Sequence, residues 1–147
     1  MKIIMYENDK GGLHTYSKYL VEALKKKGVE IIITNKILRE DYEIIHFQFE
    51  NSLFHPFGLG VIKKMFFPRL RGKKIVLTMH TVLKKDQIYA RNFLFKSIKK
   101  IILPLTNKLI GIFSDKIIVH SDYLKKILIN EYSISKKKVE VIPHGTY

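Results

Sequence analysis

Cysteine and tryptophan are absent from the 147-residue chain. Without thiols there is no disulfide scaffold, no cysteine nucleophile and no cysteine-ligated metal. Their absence also fits a reducing compartment. Glycine (8) and proline (4) are sparse, which excludes collagen-like and low-complexity chains. No apolar run reaches the ~18 residues of a spanning helix. The longest apolar stretch, from Ile101 to Phe113, is broken by Pro104, Asn107 and Lys108. The opening MKIIMYEND meets Glu7 and Asp9 too soon for a signal peptide. These absences together lead us to expect a soluble, cytoplasmic chain.

Acidic residues are also few, 13 against 27 Lys and Arg, for a net charge of +14. The imbalance is local. Residues 1–61 hold eight basic and eight acidic side chains. Residues 62–108 hold 13 basic side chains against Asp86 alone, a net of +12. This block, with Lys63, Lys64, Arg69, Arg71, Lys96, Lys99 and Lys100, also carries Met65, Phe66, Phe67, Phe93 and Phe95. Basic and aromatic residues interleaved in this way suit an anionic membrane surface. They also suit nucleic acid, but no zinc-finger spacing, RRM signature or KH-type loop accompanies them. A third reading is a lysine-rich solvated face.

At 46% hydrophobic and 27% charged, the composition is globular and the length suits one domain. Apolar runs at 2–6, 29–34, 43–47, 74–79, 116–119 and 139–142 read as strands. Helical spacing marks 13–27, with Gly28 as its stop, then 58–70, 86–103 and 122–132, the last capped by Ser121. Pro104 and Gly111 punctuate the continuation of the third helix. Strands alternating with helices, the strands apolar almost throughout, predict an α/β fold. The expected architecture is a Rossmann-like, doubly wound parallel sheet in a single domain.

Ligands of such sheets bind at the carboxyl ends of the strands. After the first strand, Gly11 and Gly12 precede a helix, an arrangement that admits a phosphate or serves as a tight turn. Two glycines do not complete the dinucleotide fingerprint. Alternation places His46, Gln48 and Glu50 on one side where the third strand exits, as a polar cleft lining or a wet strand edge. His80 and Thr81 follow the fourth strand. His80 can hydrogen-bond sugar hydroxyls or phosphate, move a proton, or be structural. His14, His46, His80, His120 and His144 show no metal-motif spacing, so no metal site is expected.

Five segments in register resemble one family. They are Gly11-Gly12 with the helix running to Gly28-Val29, Asp41 to His46, Lys74 to Thr81, Ser114 to Ser121, and Val139 to Gly145. All are similar to the amino-terminal domain of group 1 (family 4) glycosyltransferases of GT-B fold. Gln48-Phe49-Glu50 is similar to a Q-H-E subgroup, with Phe49 in place of its histidine. The resemblance implies retaining transfer of a sugar from a nucleotide-sugar donor, with no cofactor, to an acceptor that is often lipid-linked or a glycan. It makes Gly11 and Gly12 donor-loop residues and His80 the sugar-contacting histidine. The family's second domain carries most donor contacts and an E-x7-E motif. Glu22 and Glu30 have that spacing but fall mid-helix and at a strand start. Pro143-His144-Gly145 resembles the entrance to the interdomain linker. The expectation is therefore half of an active site, inactive without the carboxy-terminal domain in cis or as a subunit. The competing reading is a stand-alone, non-catalytic module that binds an anionic membrane or an acceptor.

Overall fold

In the computed structural model, the residues described are 1–7, 12–37, 41–50, 58–86 and 93–144. Six strands form one sheet: β1 (Lys2–Tyr6), β2 (Glu30–Thr34), β3 (Ile44–Phe49), β4 (Lys74–Met79), β5 (Lys116–Val119) and β6 (Val139–Val141). All neighbouring pairs are parallel, in the order β2-β1-β3-β4-β5-β6. Among the described residues there are four α-helices: α1 (Gly12–Lys25), α2 (Leu59–Leu70), α3 (Phe93–Phe113) and α4 (Asp122–Asn130). This is the α/β, Rossmann-like architecture that the alternating pattern predicts.

The strands read as apolar runs because both of their faces are covered. On one face Ile3, Met5 and Ile31 pack with Leu20, Val21 and Leu24 of α1. On the other, Ile4, Ile45, Phe47, Leu77 and Ile117 meet Val61 and Met65 of α2, Ile110 of α3, and Ile127 and Leu128 of α4. Each such side chain contributes about 1.5–3 kcal/mol through burial. Tyr6 and Phe47 add a ring contact at 5.2 Å across the β1–β3 pair.

Gly28 ends α1 as its sequence suggests. It takes φ +77°, and the Val29 N–H reaches back to the Leu24 carbonyl at 3.2 Å. Ser121 caps α4, accepting from the Leu124 N–H at 3.3 Å.

The third helix departs from expectation. It runs unbroken through Pro104 and Gly111 to Phe113. Leu103, Thr106, Asn107 and Ile110 are buried, so packing overrides the local punctuation. Gly111 is not a stop. A β-carbon there would lie 2.9 Å from Cγ1 of the buried Ile134, so glycine admits close packing. The expected start of this helix, at 86, partly falls on 87–92, outside the described residues, and Asp86 lies in a turn. The third strand also extends two residues beyond expectation, to Phe49. Its pairing with β4 continues through Gln48–Thr78 and Phe49–Met79.

Candidate functional site at the strand ends

Parallel pairing brings every strand's carboxyl end to one edge of the sheet. The first residues beyond β1, β3, β4 and β5 are Glu7, Glu50, His80 and His120. Strand order reverses at β1, with β2 on one side and β3 on the other. That switch point opens a crevice in sheets of this kind.

His80 is held at this edge by both backbone and side chain. Its N–H donates to the Phe49 carbonyl at 3.1 Å. Its Nε2 donates to Gln48 Oε1 at 2.9 Å. The Gln48 amide in turn donates to Met5 Sδ at 3.1 Å. A carboxamide oxygen can only accept, so Gln48 fixes the His80 tautomer and leaves Nδ1 with a lone pair. One layer deeper, His46 Nε2 and Thr78 Oγ1 share a hydrogen bond of 2.7 Å. Burial lowers both imidazoles to a pKa of about 4, and for His80 the nearby His120, His144 and His46 add to the effect. At neutral pH, His80 is therefore an uncharged hydrogen-bonding group.

Three further aromatic side chains gather around it. The ring centroids of His120 and Tyr16 are each 5.0 Å from that of His80. His144 lies 4.9 Å from His120 and 5.0 Å from Tyr16. His120 Nδ1 donates to the Ile142 carbonyl at 2.9 Å. At the end of β1, the buried Glu7 holds His14 Nδ1 at 2.6 Å through Oε1. Together these groups offer hydrogen-bond donors and acceptors beside an aromatic wall. That chemistry suits a polyhydroxylated ligand.

The expected site residues are only partly brought together. His80 and Gln48 are in contact. His46 lies within β3 as expected, and Gln48, expected just past the strand, lies within it as well; both are buried. Glu50 follows the strand half-buried, and Thr81 is exposed directly after His80. Gly12 is the first residue of α1, while Gly11 lies outside the described residues. Sequence reasoning missed Tyr16, the Glu7–His14 pair, and the convergence of His120 and His144 on His80. The signal for His120 was its place at a strand exit. Tyr16 was hidden in the apolar stripe of α1.

The basic residues belong to the opposite layer, on α2 and the first half of α3. Arg69 pairs with Asp115 at 3.0 Å, and the Lys64 ammonium lies 4.8 Å over the Tyr6 ring. Arg71 covers Phe67 at 5.6 Å. Lys63, Lys96 and Lys100 are exposed and Lys99 is half-buried. Phe66, Phe67, Leu70, Ile101 and Leu105 are exposed on the same two helices. Among the described residues, no helix is long and apolar enough to cross a membrane. A surface cavity of about 600 Å³, lined by Lys2, Glu43, Arg71 and Lys73, lies at the other edge of the sheet, where the strands begin.

None of the curated proteins matches the chain. The sequence pattern of Glycosyltransferase Family 4 matches residues 32–146. That span runs from within β2 to β6 and includes His46, Gln48, His80, His120 and His144, but not β1 or Gly11-Gly12. The match extends over well more than half of the sequence, and the chain belongs to glycosyltransferase family 4.

Proposed function

We propose that this chain is the acceptor-side domain of a retaining glycosyltransferase, which moves a sugar from a nucleotide-sugar donor to a glycan or lipid-linked acceptor. The observation that carries this reading is the uncharged His80 at a strand end, its tautomer fixed by Gln48. His80 hydrogen-bonds hydroxyls of the transferred sugar. At the start of α1, the Gly12 backbone N–H meets the donor pyrophosphate, with Gly11 assigned to the same donor contact by the family resemblance. Glu50 and Thr81 line the acceptor cleft. A second domain, in cis or as a separate subunit, supplies the remaining donor contacts.

The test is transfer from labelled nucleotide sugars by the chain with and without a family donor-binding domain fused to it. Transfer with retained anomeric configuration is expected only from the fusion. Turnover by the chain alone would overturn the two-domain reading. A folded fusion that turns over no nucleotide sugar would favour the non-catalytic module instead.

The acceptor is proposed to be presented at the cytoplasmic face of a membrane. The exposed Lys63 beside Phe66, Phe67 and Leu70 on α2, and the exposed Lys96 and Lys100 on α3, support this. Sedimentation with vesicles containing anionic lipid is expected at low salt and should fall steeply as screening rises. Each lysine near such a surface contributes about 1 kcal/mol. Reversing two charges, Lys63→Glu with Lys100→Glu, should therefore weaken binding by at least about tenfold. Equal affinity for neutral vesicles would sink this part of the proposal.

A further inference from the structure

The histidines that follow β4, β5 and β6 have a second use, which takes the same His80 Nδ1 lone pair and so excludes the sugar contact while an ion is bound. We propose that His80, His120 and His144 together bind one divalent transition-metal ion of the zinc class. One ligand nitrogen from each lies within 4.8 Å of those of the other two. A zinc–imidazole bond of about 2.0–2.1 Å places tetrahedral nitrogens roughly 3.4 Å apart, so the nitrogens need close by at most about 1.4 Å. His144 is exposed and follows the last strand by three residues, so it can make that approach by side-chain rotation.

The outer partners match what a ligating histidine needs. Such a ring donates its non-ligating N–H to a carbonyl or carboxylate, which fixes the tautomer and orients the lone pair. His120 Nδ1 does this to the Ile142 carbonyl, and His80 Nε2 does it to Gln48 Oε1. The remaining nitrogen of His120, Nε2, is buried without a hydrogen-bond partner, as a lone pair awaiting an ion would be. Tyr16 packs on all three rings and holds them in one cluster.

The donor set also selects the ion. Three imidazoles without carboxylates suit zinc, copper or nickel, whereas calcium and magnesium take oxygen ligands. Three protein ligands leave a fourth position for water or a ligand oxygen. The convergence escaped the search for motif spacing because the three histidines are 40 and 24 residues apart. The register of β4 with β5 and of β5 with β6 puts their exits side by side.

The test reads the metal alone, so it is separate from the transferase reading. The metal-free chain is titrated with Zn2+ by calorimetry and with Co2+ by visible absorption. One ion per chain is expected, with the intense absorption of four-coordinate cobalt. His120→Ala and His144→Ala should each weaken zinc binding by at least about 100-fold, since even outer-partner changes cost 10–100-fold. Glu30→Gln, at the start of β2 on the opposite edge of the sheet, should leave it unchanged. His144 is exposed, so its variant folds even if that of His120 does not. No saturable binding, a weak octahedral cobalt spectrum, or a His144→Ala chain with wild-type affinity would overturn the proposal.

Discussion

Alanine at position 80 is expected to lower sugar transfer by the two-domain assembly about 100-fold, because a preorganised hydrogen-bonding group in an active site is typically worth 10²–10³ in rate. The expectation rests on the geometry around His80. Backbone and side chain are both tied to β3, so the ring reaches its ligand already oriented. With its Nε2–H held by Gln48, the uncharged ring offers its Nδ1 lone pair to accept from a sugar hydroxyl. Stability should change far less. The ring is only partly buried, and its loss removes one side-chain hydrogen bond, worth about 0.5–1.5 kcal/mol. The freed Gln48 carbonyl then faces space that water can fill. Steady-state kinetics and urea unfolding of the same preparation separate the two effects. A fall in kcat at unchanged stability supports a sugar-contacting role. Normal turnover per folded molecule with a large loss of stability would make His80 a structural residue.

The fold was legible because its strands carry their own signature. The limits of β1, β4 and β5 coincide with the apolar runs at 2–6, 74–79 and 116–119. Ile4, Tyr6, Ile75, Leu77, Met79, Ile117 and Val119 of these runs lie in the main core, so burial writes the pattern directly into composition. The continuity of α3 was not legible. Proline and glycine are local signals, while the buried Thr106, Asn107 and Ile110 and the fit of Ile134 against Gly111 are tertiary facts. The site divides in the same way. His80 could be found because a polar residue directly after an apolar strand of a parallel sheet marks the ligand edge. Gln48 could be placed near the exit of β3, but its hydrogen bond to His80 needed the β3–β4 register. His120 and His144 could be joined to His80 only once the strand order was known. Tyr16 looks like any core residue until the imidazoles that it touches are in place.

Acid should destabilise this domain well above the pH at which its carboxylates protonate, and His46 is the main reason. Its folded pKa is about 4 against 6.5 for the free side chain, because burial disfavours the charged ring. Between those values the unfolded chain binds a proton that the folded chain does not. Stability therefore falls as pH drops from about 6.5 to about 4 and levels off below. At 1.36 kcal/mol per pKa unit, the loss from this one group approaches about 3 kcal/mol. That is a large share of the roughly 5–15 kcal/mol that holds a domain folded. His80 acts in the same direction, with a smaller effect because water screens its partly exposed ring. Carboxylates act lower on the scale. Asp41, Asp115 and Glu140 have folded pKa values depressed below 3.8, 3.8 and 4.5 by ion pairs and hydrogen bonds. Their contribution is intact above pH ~5 and is lost only as pH falls through the folded values. The interval from pH 6.5 to 5 thus isolates the histidines. Urea midpoints measured across it should fall steadily for the native chain. In His46→Gln, where an uncharged amide replaces the ring beside Thr78, the slope should flatten markedly. The readout is the slope, so a uniform loss of stability in the variant leaves the comparison intact. Parallel curves for the two chains would mean that His46 is not the buried group that acid must charge.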